Sequence, residues 1–317
     1  MLTDNKPVSS LRAAYGDTLV ELGRENPNIV VLDADLACST QTIKFQKVFP
    51  ERFFNMGIAE QDAVCTAAGL AYSGKTAFFS TFAVFASGRA WDQVRCSVAY
   101  PKYNVKIVAT HGGIMVGEDG ASHQALEDIS LMRSLPNMTV IIPADSVETK
   151  AVIRYAAKTP GPFYIRLTRP NMPEIFEGDK YEFTGKANVL VEGKDITIAT
   201  YGETVVEALK CAEMLKQKGI SAEVINVPVI KPLDEKTILA SASKTGAVLT
   251  VENHSIIGGL GSAVCELLSE THPLPIKRVG VRDQFGQSGK YDELMDKYGL
   301  IADKFINDAI QLLKKKQ

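Results

Sequence analysis

The chain has little histidine, little tryptophan and no excess of either charge. Four His and one Trp stand among 317 residues, and 35 basic against 37 acidic side chains leave a formal charge of -2. That balance gives no general attraction to a polyanion, so neither nucleic acid nor an anionic membrane is an expected partner. The basic run Lys314–Lys316 reads as a solvated helix tail. Cysteine is scarce as well: five, odd in number, with no C-x-x-C spacing. Neither a disulfide framework nor a structural zinc site is expected, and Cys38, Cys65, Cys96, Cys211 and Cys265 read as reduced thiols, mostly in helical cores. The N-terminus lacks a basic and apolar leader, and no apolar run is long enough to span a bilayer. A soluble cytoplasmic protein is the expectation.

What is present is an alternation of strands and helices, in a chain long enough for two domains with full cores. Apolar positions Leu11, Ala14, Tyr15, Leu19 and Leu22 recur at helical spacing behind the caps Ser9 and Ser10. Short apolar runs at 28–33, 76–81, 105–110, 138–143 and 163–167 predict buried parallel strands, with helices over 84–99 and 146–158 between them. The rhythm breaks at about 168–194 and restarts with strands at 195–200, 222–227, 247–252 and 275–281 and helices at about 203–218, 235–243 and after GGLG. The expected fold is α/β, with two domains that each carry a mostly parallel sheet covered by helices: 1–170, a link over 171–194, and 195–317. GGLG at 258–261 sits where a phosphate could bind, but lacks a phosphate-loop spacing, so close packing of helix on sheet is the preferred reading.

Polar residues gather at predicted strand ends. Glu60 opens the alanine-rich helix in NMGIAEQDAVCTAAGLAYSG, where by itself it reads as an acid that favours a helix N-terminus. THGGIMVGEDGASHQ, residues 110–124, follows a strand and holds two of the four histidines, His111 and His123, beside Glu118 and Asp119. In parallel sheets ligands bind beyond the carboxyl ends of strands, so this loop is the expected site. Its spacings match no metal motif. Asp33, Asp35, Ser39, Arg166 and Arg169 close neighbouring strands, a rim suited to an anionic sugar, while Phe79, Phe82, Phe85 and Trp91 supply core and one or two rings for a flat heterocycle.

In this order, DADLACST, NMGIAEQD, STFAVFASGRAWDQVR, THGGIMVGEDGASHQALEDI, MRSLPNMTVIIPAD and RLTRPNMP resemble the pyrimidine-binding and C-terminal domains of transketolases. The likeness runs through most of residues 8–290. It implies thiamine diphosphate as cofactor, with Glu60 on the aminopyrimidine N1′ promoting the imino tautomer whose 4′ nitrogen takes the thiazolium C2 proton. The cofactor then carries the carbanion chemistry. Phe82 and Phe85 match the pyrimidine-stacking aromatics, and Asp35 with Leu36 matches the segment that reaches the cofactor across the subunit contact. Asp119 matches the reader of the donor's hydroxyl stereochemistry, His111 and His123 match substrate-contacting histidines, and Arg12, Ser39 and Arg169 match the grip on the acceptor's phosphate.

The chain also departs from the pattern. Gly88 stands where many members have a third aromatic, to be replaced by Trp91 or left open; Gln61 replaces a histidine, and Gly112-Gly113 replaces an aspartate-serine pair. No GDG motif for Mg²⁺ and the diphosphate occurs. The resemblance therefore implies the C-terminal subunit of a split transketolase, moving a two-carbon ketol unit from a ketose phosphate to an aldose phosphate. It would work only with a diphosphate-binding partner subunit that holds the Mg²⁺, in an α2β2 assembly. The rival readings are a 2-oxo-acid dehydrogenase β-like subunit, a 1-deoxyxylulose-5-phosphate synthase fragment, and a non-catalytic binding protein on the same fold.

Overall fold

A computed structural model describes residues 6–316, apart from the side chain of Asp179. The strands are β1 (Val8–Ser9), β2 (Ile29–Asp33), β3 (Phe53–Asn55), β4 (Thr76–Phe82), β5 (Val105–Thr110), β6 (Thr139–Ile141) and β7 (Phe163–Arg166). They continue with β8 (Met172–Pro173), β9 (Asn188–Val191), β10 (Ile196–Thr200), β11 (Ala222–Asn226), β12 (Val229–Lys231), β13 (Val248–Ser255) and β14 (Ile276–Val281). A seven-stranded sheet runs β12-β6-β7-β5-β4-β2-β3 and a five-stranded sheet runs β14-β13-β10-β11-β9. All neighbours are parallel except β12 on β6 and β9 on β11.

Every residue of β2, β4 and β5 is buried, as continuous apolar strands covered by helices on both faces should be. The covering helices of the first half are α1 (Leu11–Glu25), α2 (Ala37–Thr40), α3 (Ile43–Val48), α4 (Glu60–Tyr72), α5 (Ala83–Gly88), α6 (Trp91–Gln93), α7 (Asp128–Arg133) and α8 (Ser146–Lys158). Those of the second half are α9 (Val205–Lys216), α10 (Glu235–Thr245), α11 (Leu260–Thr271), α12 (Tyr291–Lys297) and α13 (Ala302–Leu313). Ser10 caps α1 by accepting from the Ala13 N–H, and Asp145 caps α8 by accepting from that of Glu148. No described helix is long and apolar enough to cross a membrane.

The halves are interleaved. β12 belongs in sequence to the second half but closes the edge of the first sheet, where Val229 pairs with Ile141. β8 and β9 both lie in the stretch expected as a link: β8 pairs with β1, and β9 joins the second sheet. Two other expectations change. The helix read over 84–99 is broken into α5, α6 and a π-helical turn at Val94–Ala99. The thiols do not all face the core: Cys38, Cys65 and Cys96 are exposed and only Cys211 is fully buried, because the alanine-rich helices bury Ala and Val and leave Cys on the outer face.

Glycines at 258–261 pack rather than wait for a ligand. A Cβ on Gly259 would lie 2.0 Å from Glu252 Oε2, and the Glu252 carboxylate itself accepts from the N–H groups of Leu260 and Gly261 at 2.8 and 2.9 Å. The helix N-terminus thus already has its anion. Arg166, expected on the rim, is closed inside: its Nε lies 3.2 Å from Asp128 Oδ2, and both side chains are fully buried. Tyr164 donates to the same carboxylate oxygen at 2.6 Å. Removing one member of a buried ion pair strands the other charge, so Asp128→Ala should cost about 3–5 kcal/mol of stability. Urea unfolding at neutral pH measures it, and a loss under about 1 kcal/mol would show the pair to be energetically idle.

Candidate active site

Parallel register carries the strand ends to one edge. Asp33 stands beside Ser80, Phe82 beside Thr110, and Ala109 beside Arg166. The loops beyond this edge hold the residues singled out in the sequence, and they form two linked groups.

The first group centres on Glu60. It is the first residue of α4, behind a cap residue, Ala59, that offers no side chain to the helix N–H groups. Its carboxyl is 4% exposed and faces a concavity of about 710 Å³ lined by Ile58–Asp62 and Arg89. Arg89 Nη1 donates to Glu60 Oε1 at 2.8 Å, and the Arg89 guanidinium lies 4.0 Å from the centre of the Phe85 ring. A flat cation therefore occupies the space between an acid and an aromatic face. Phe85 stacks on Phe82 at 5.8 Å, and Phe82 stacks on the His111 imidazole at 3.9 Å. His123 meets Phe85 edge-on at 5.4 Å. Trp91 does not replace the missing aromatic: its indole N–H is tied to the Leu131 carbonyl at 3.0 Å, and nothing lies over Gly88 within 4 Å. That wall is open.

The second group is cationic. Arg12 donates to the carbonyls of Ser39 at 2.8 Å and Arg169 at 2.9 Å. Arg169 Nη1 lies 3.4 Å from Glu118 and 3.7 Å from Asp119, and also donates to the Val116 carbonyl. Arg12, Ser39, Asp119 and Arg169 are thus neighbours, and burial first, then the Arg169 charge, lower the Arg12 pKa.

His111 joins the groups. Burial above all, then Arg12, Arg169 and His123, push its pKa down to about 3, so the imidazole is neutral at physiological pH. Its Nδ1 is 2.8 Å from Thr110 Oγ1, and its backbone is left-handed at φ 61. Asp35, at the end of β2, is left-handed too at φ 63. Non-glycine residues held there cost energy and gather at functional sites. Asp35 stands apart from the row: it is exposed, with Asn55 Nδ2 donating to it at 3.2 Å. The Leu36 N–H bonds the buried Asp33 carboxylate at 2.6 Å, which makes Asp33 a scaffold acid rather than a rim ligand. Among the described residues no three His, Cys, Asp or Glu side chains converge as a cation site.

The profile of the transketolase pyrimidine-binding domain matches residues 8–174, and that of the transketolase C-terminal domain matches 185–305. The chain belongs to the transketolase family. Membership carries thiamine diphosphate dependence with it. A putative transketolase C-terminal section of Methanocaldococcus jannaschii is 52% identical over 309 residues, 96% of each chain. A 6-deoxy-6-sulfo-D-fructose transketolase subunit of a Clostridium species is 46% identical over 96% of this chain and 95% of its own. A split-gene transketolase solved as an inactive β4 tetramer superposes with a TM-score of 0.91 at 53% identity, covering 98% of this chain and all of that one. The transketolase of Campylobacter jejuni superposes at 0.83 and 26% identity, covering 98% of this chain but 48% of its own. This transketolase-family subunit thus corresponds to part of a longer relative and to the whole of a split one.

Two neighbours of the site had no signal in the sequence. Arg89 sits inside an apolar helical stretch that gives no hint of a partner for Glu60. Asn253 lies near the end of β13 in the other domain, 139 residues from the loop residue whose N–H it binds.

Proposed function

We propose that this subunit supplies the pyrimidine and substrate half of a transketolase, moving a two-carbon ketol unit from a ketose phosphate to an aldose phosphate. The observation that carries the reading is the continuous row Glu60, Phe85, Phe82, His111 and His123 beside the Arg12–Arg169–Asp119 cluster at one sheet edge. The residues fit one half of thiamine diphosphate: a buried carboxyl and a flat ring with a planar, hydrogen-bonding guanidinium already between them. When bound, that cofactor supplies carbanion chemistry at the sugar carbonyl. Glu60 would hold the pyrimidine through a shared proton, and Phe85 with Phe82 would stack on it. Arg89 would have to leave Glu60 for a pyrimidine to bind there.

His111, kept neutral by burial, and His123 offer ring nitrogens that can give or take hydrogen bonds with sugar hydroxyls. Arg12 and Arg169 hold the anionic end of a substrate, and Asp119 reads a hydroxyl. Diphosphate and Mg²⁺ ligands come from a partner subunit, which the inactive β4 assembly of the split-gene relative supports. We place the pyrimidine domain at 1–170 and the C-terminal domain at 195–317, and the assembly as α2β2 in the cytoplasm. The donor's exact end group is open to the relatives' range, since a sulfonated sugar and apulose 4-phosphate both occur in the names of subunits at 46% and 40% identity.

The test is turnover of the purified pair with thiamine diphosphate, Mg²⁺ and a panel of ketose and aldose phosphates. A pair that instead releases CO₂ from pyruvate while condensing it with an aldose phosphate would replace ketol transfer with the synthase reading, which a relative 39% identical over 95% of this chain keeps in view. Within the panel, Asp119→Ala should slow ketose phosphates about 10- to 100-fold, the effect of losing one charged hydrogen bond. Hydroxypyruvate, which yields the same two-carbon unit without a sugar hydroxyl to read, should be affected far less. Equal losses on both donors would remove Asp119 from substrate recognition.

A further inference from the structure

Within the loop 111–124 the Gly120 N–H bonds the Gly117 carbonyl at 3.1 Å and the Gln124 N–H bonds the Gly120 carbonyl at 3.2 Å. Gly113, Gly117 and Gly120 take φ values of 73, 84 and 76, and such glycines lose much conformational freedom when fixed. From the first domain Arg169 donates to the Val116 carbonyl, and the second domain adds contacts to Ile114 and Gln124. Asn253, near the carboxyl end of β13, is wholly buried, and its Oδ1 accepts from the Ile114 N–H at 2.9 Å. Its Nδ2 donates to Glu203, and its carbonyl accepts from Arg166 Nη2 at 2.8 Å.

The two glycines that depart from the family pattern follow from this clamp. A Cβ on Gly113 would lie 2.3 Å from Asn253 Nδ2, and one on Gly112 would lie 1.9 Å from Arg166 Nε. Their side-chain space is filled by the clamp itself. At the far end, Gln124 Nε2 donates to the carbonyls of Ile114 and Gly117, and to that of Gln287 in the second domain at 2.9 Å. Gly120 lies against Ser288, where a Cβ would come within 2.5 Å of its Oγ.

We infer that the second domain is the template on which the substrate loop is set, with Asn253 as its positioning residue. The inference rests on the proposed substrate contacts of His111, Asp119 and His123. Asn253 acts through the loop backbone: Ile114 is three residues from His111, and Gln124 directly follows His123. A misplacement of about 1 Å at such groups costs on the order of 10²-fold in rate.

Asn253→Ala tests this in two arms. In the isolated chain, amide hydrogen exchange over 111–124 should speed up by tenfold or more at Ile114, while β10 and β13 keep their protection. In the reconstituted pair, kcat/KM per active site should fall about 10- to 100-fold, with KM for the sugar rising. Asn253→Asp keeps the acceptor for Ile114 but sets a carboxylate against Glu203. Pairing it with Glu203→Gln restores a donor to that contact, so the double variant should recover loop protection and turnover to within a few-fold of wild type. The inference fails if Asn253→Ala lowers only thermal stability and active fraction, with Ile114 protection and KM unchanged. It fails equally if the double variant is no better than Asn253→Asp, which decides the matter even where the alanine variant does not fold. Should the wild-type pair show no ketol transfer, the functional reading falls while the exchange arm still judges the template.

Discussion

Glu60→Ala in the assembled pair should retain the fold and lose ketol transfer by a factor of about 10² to 10⁴ or more, the range for removing one essential proton-transfer group. The structural cost is small on physical grounds. Alanine is the best helix former, and α4 already begins without a side-chain cap. The ion pair that is lost involves an arginine 48% exposed, and pairs of that kind contribute about 0–1 kcal/mol. Were Glu60 only a helix-terminal acid, its removal would cost about 0.3–1 kcal/mol of stability and leave kcat alone. Turnover and thermal melting of the same preparation therefore separate the two roles. Arg89→Ala is the companion control: it removes the same ion pair and should leave turnover within a few-fold. Wild-type turnover by the Glu60→Ala pair would remove Glu60 from the chemistry.

The isolated chain should neither turn over nor bind thiamine diphosphate appreciably, and adding a diphosphate-binding subunit should restore both. Its own contacts to the cofactor are one carboxyl and the Phe82–Phe85 pair. A charged hydrogen bond at about 1.5–3 kcal/mol and a stacked ring at about 1 kcal/mol sum to about 2.5–4 kcal/mol, which corresponds to a Kd of about 1 mM or weaker. Arg89 must also be moved off Glu60 first. The diphosphate needs Mg²⁺ with oxygen ligands, and the described residues converge on no such set. Isothermal titration of the chain with cofactor and Mg²⁺, with and without the partner, measures this directly. Micromolar binding by the chain alone, with activity, would mean that it carries a diphosphate site of its own.

The α/β architecture was legible because buried parallel strands are written as unbroken apolar runs. The runs predicted at 76–81 and 105–110 fall inside β4 and onto β5. What escaped was short or non-local. β12 is three residues ahead of Pro232, and β9 lies in a stretch whose charges and prolines looked like a link. The break between α5 and the π turn left no mark, since apolar spacing continues through Arg89-Ala90. Arg166 read as a rim cation because only the fold brings Asp128 beneath it. Most named roles came from resemblance rather than from spacing: periodicity could place Glu60 at a helix start, but nothing in a one-dimensional pattern pairs it with Arg89 or joins Ile114 to Asn253.

Strand β12 limits how this chain can be taken apart. A fragment ending at residue 174 would leave β6 as a raw edge, with unpaired N–H and C=O groups offered to any passing strand, which is a template for aggregation. A fragment starting at 185 would carry Val229–Lys231 with no sheet to join. The two domains are consequently poor modules: a chimera that grafts a foreign C-terminal domain onto this pyrimidine domain must import a matching edge strand, a matching Asn253 and a matching partner for Gln124 together. Recombination between relatives should succeed when both domains are exchanged as a block and fail at a crossover between them.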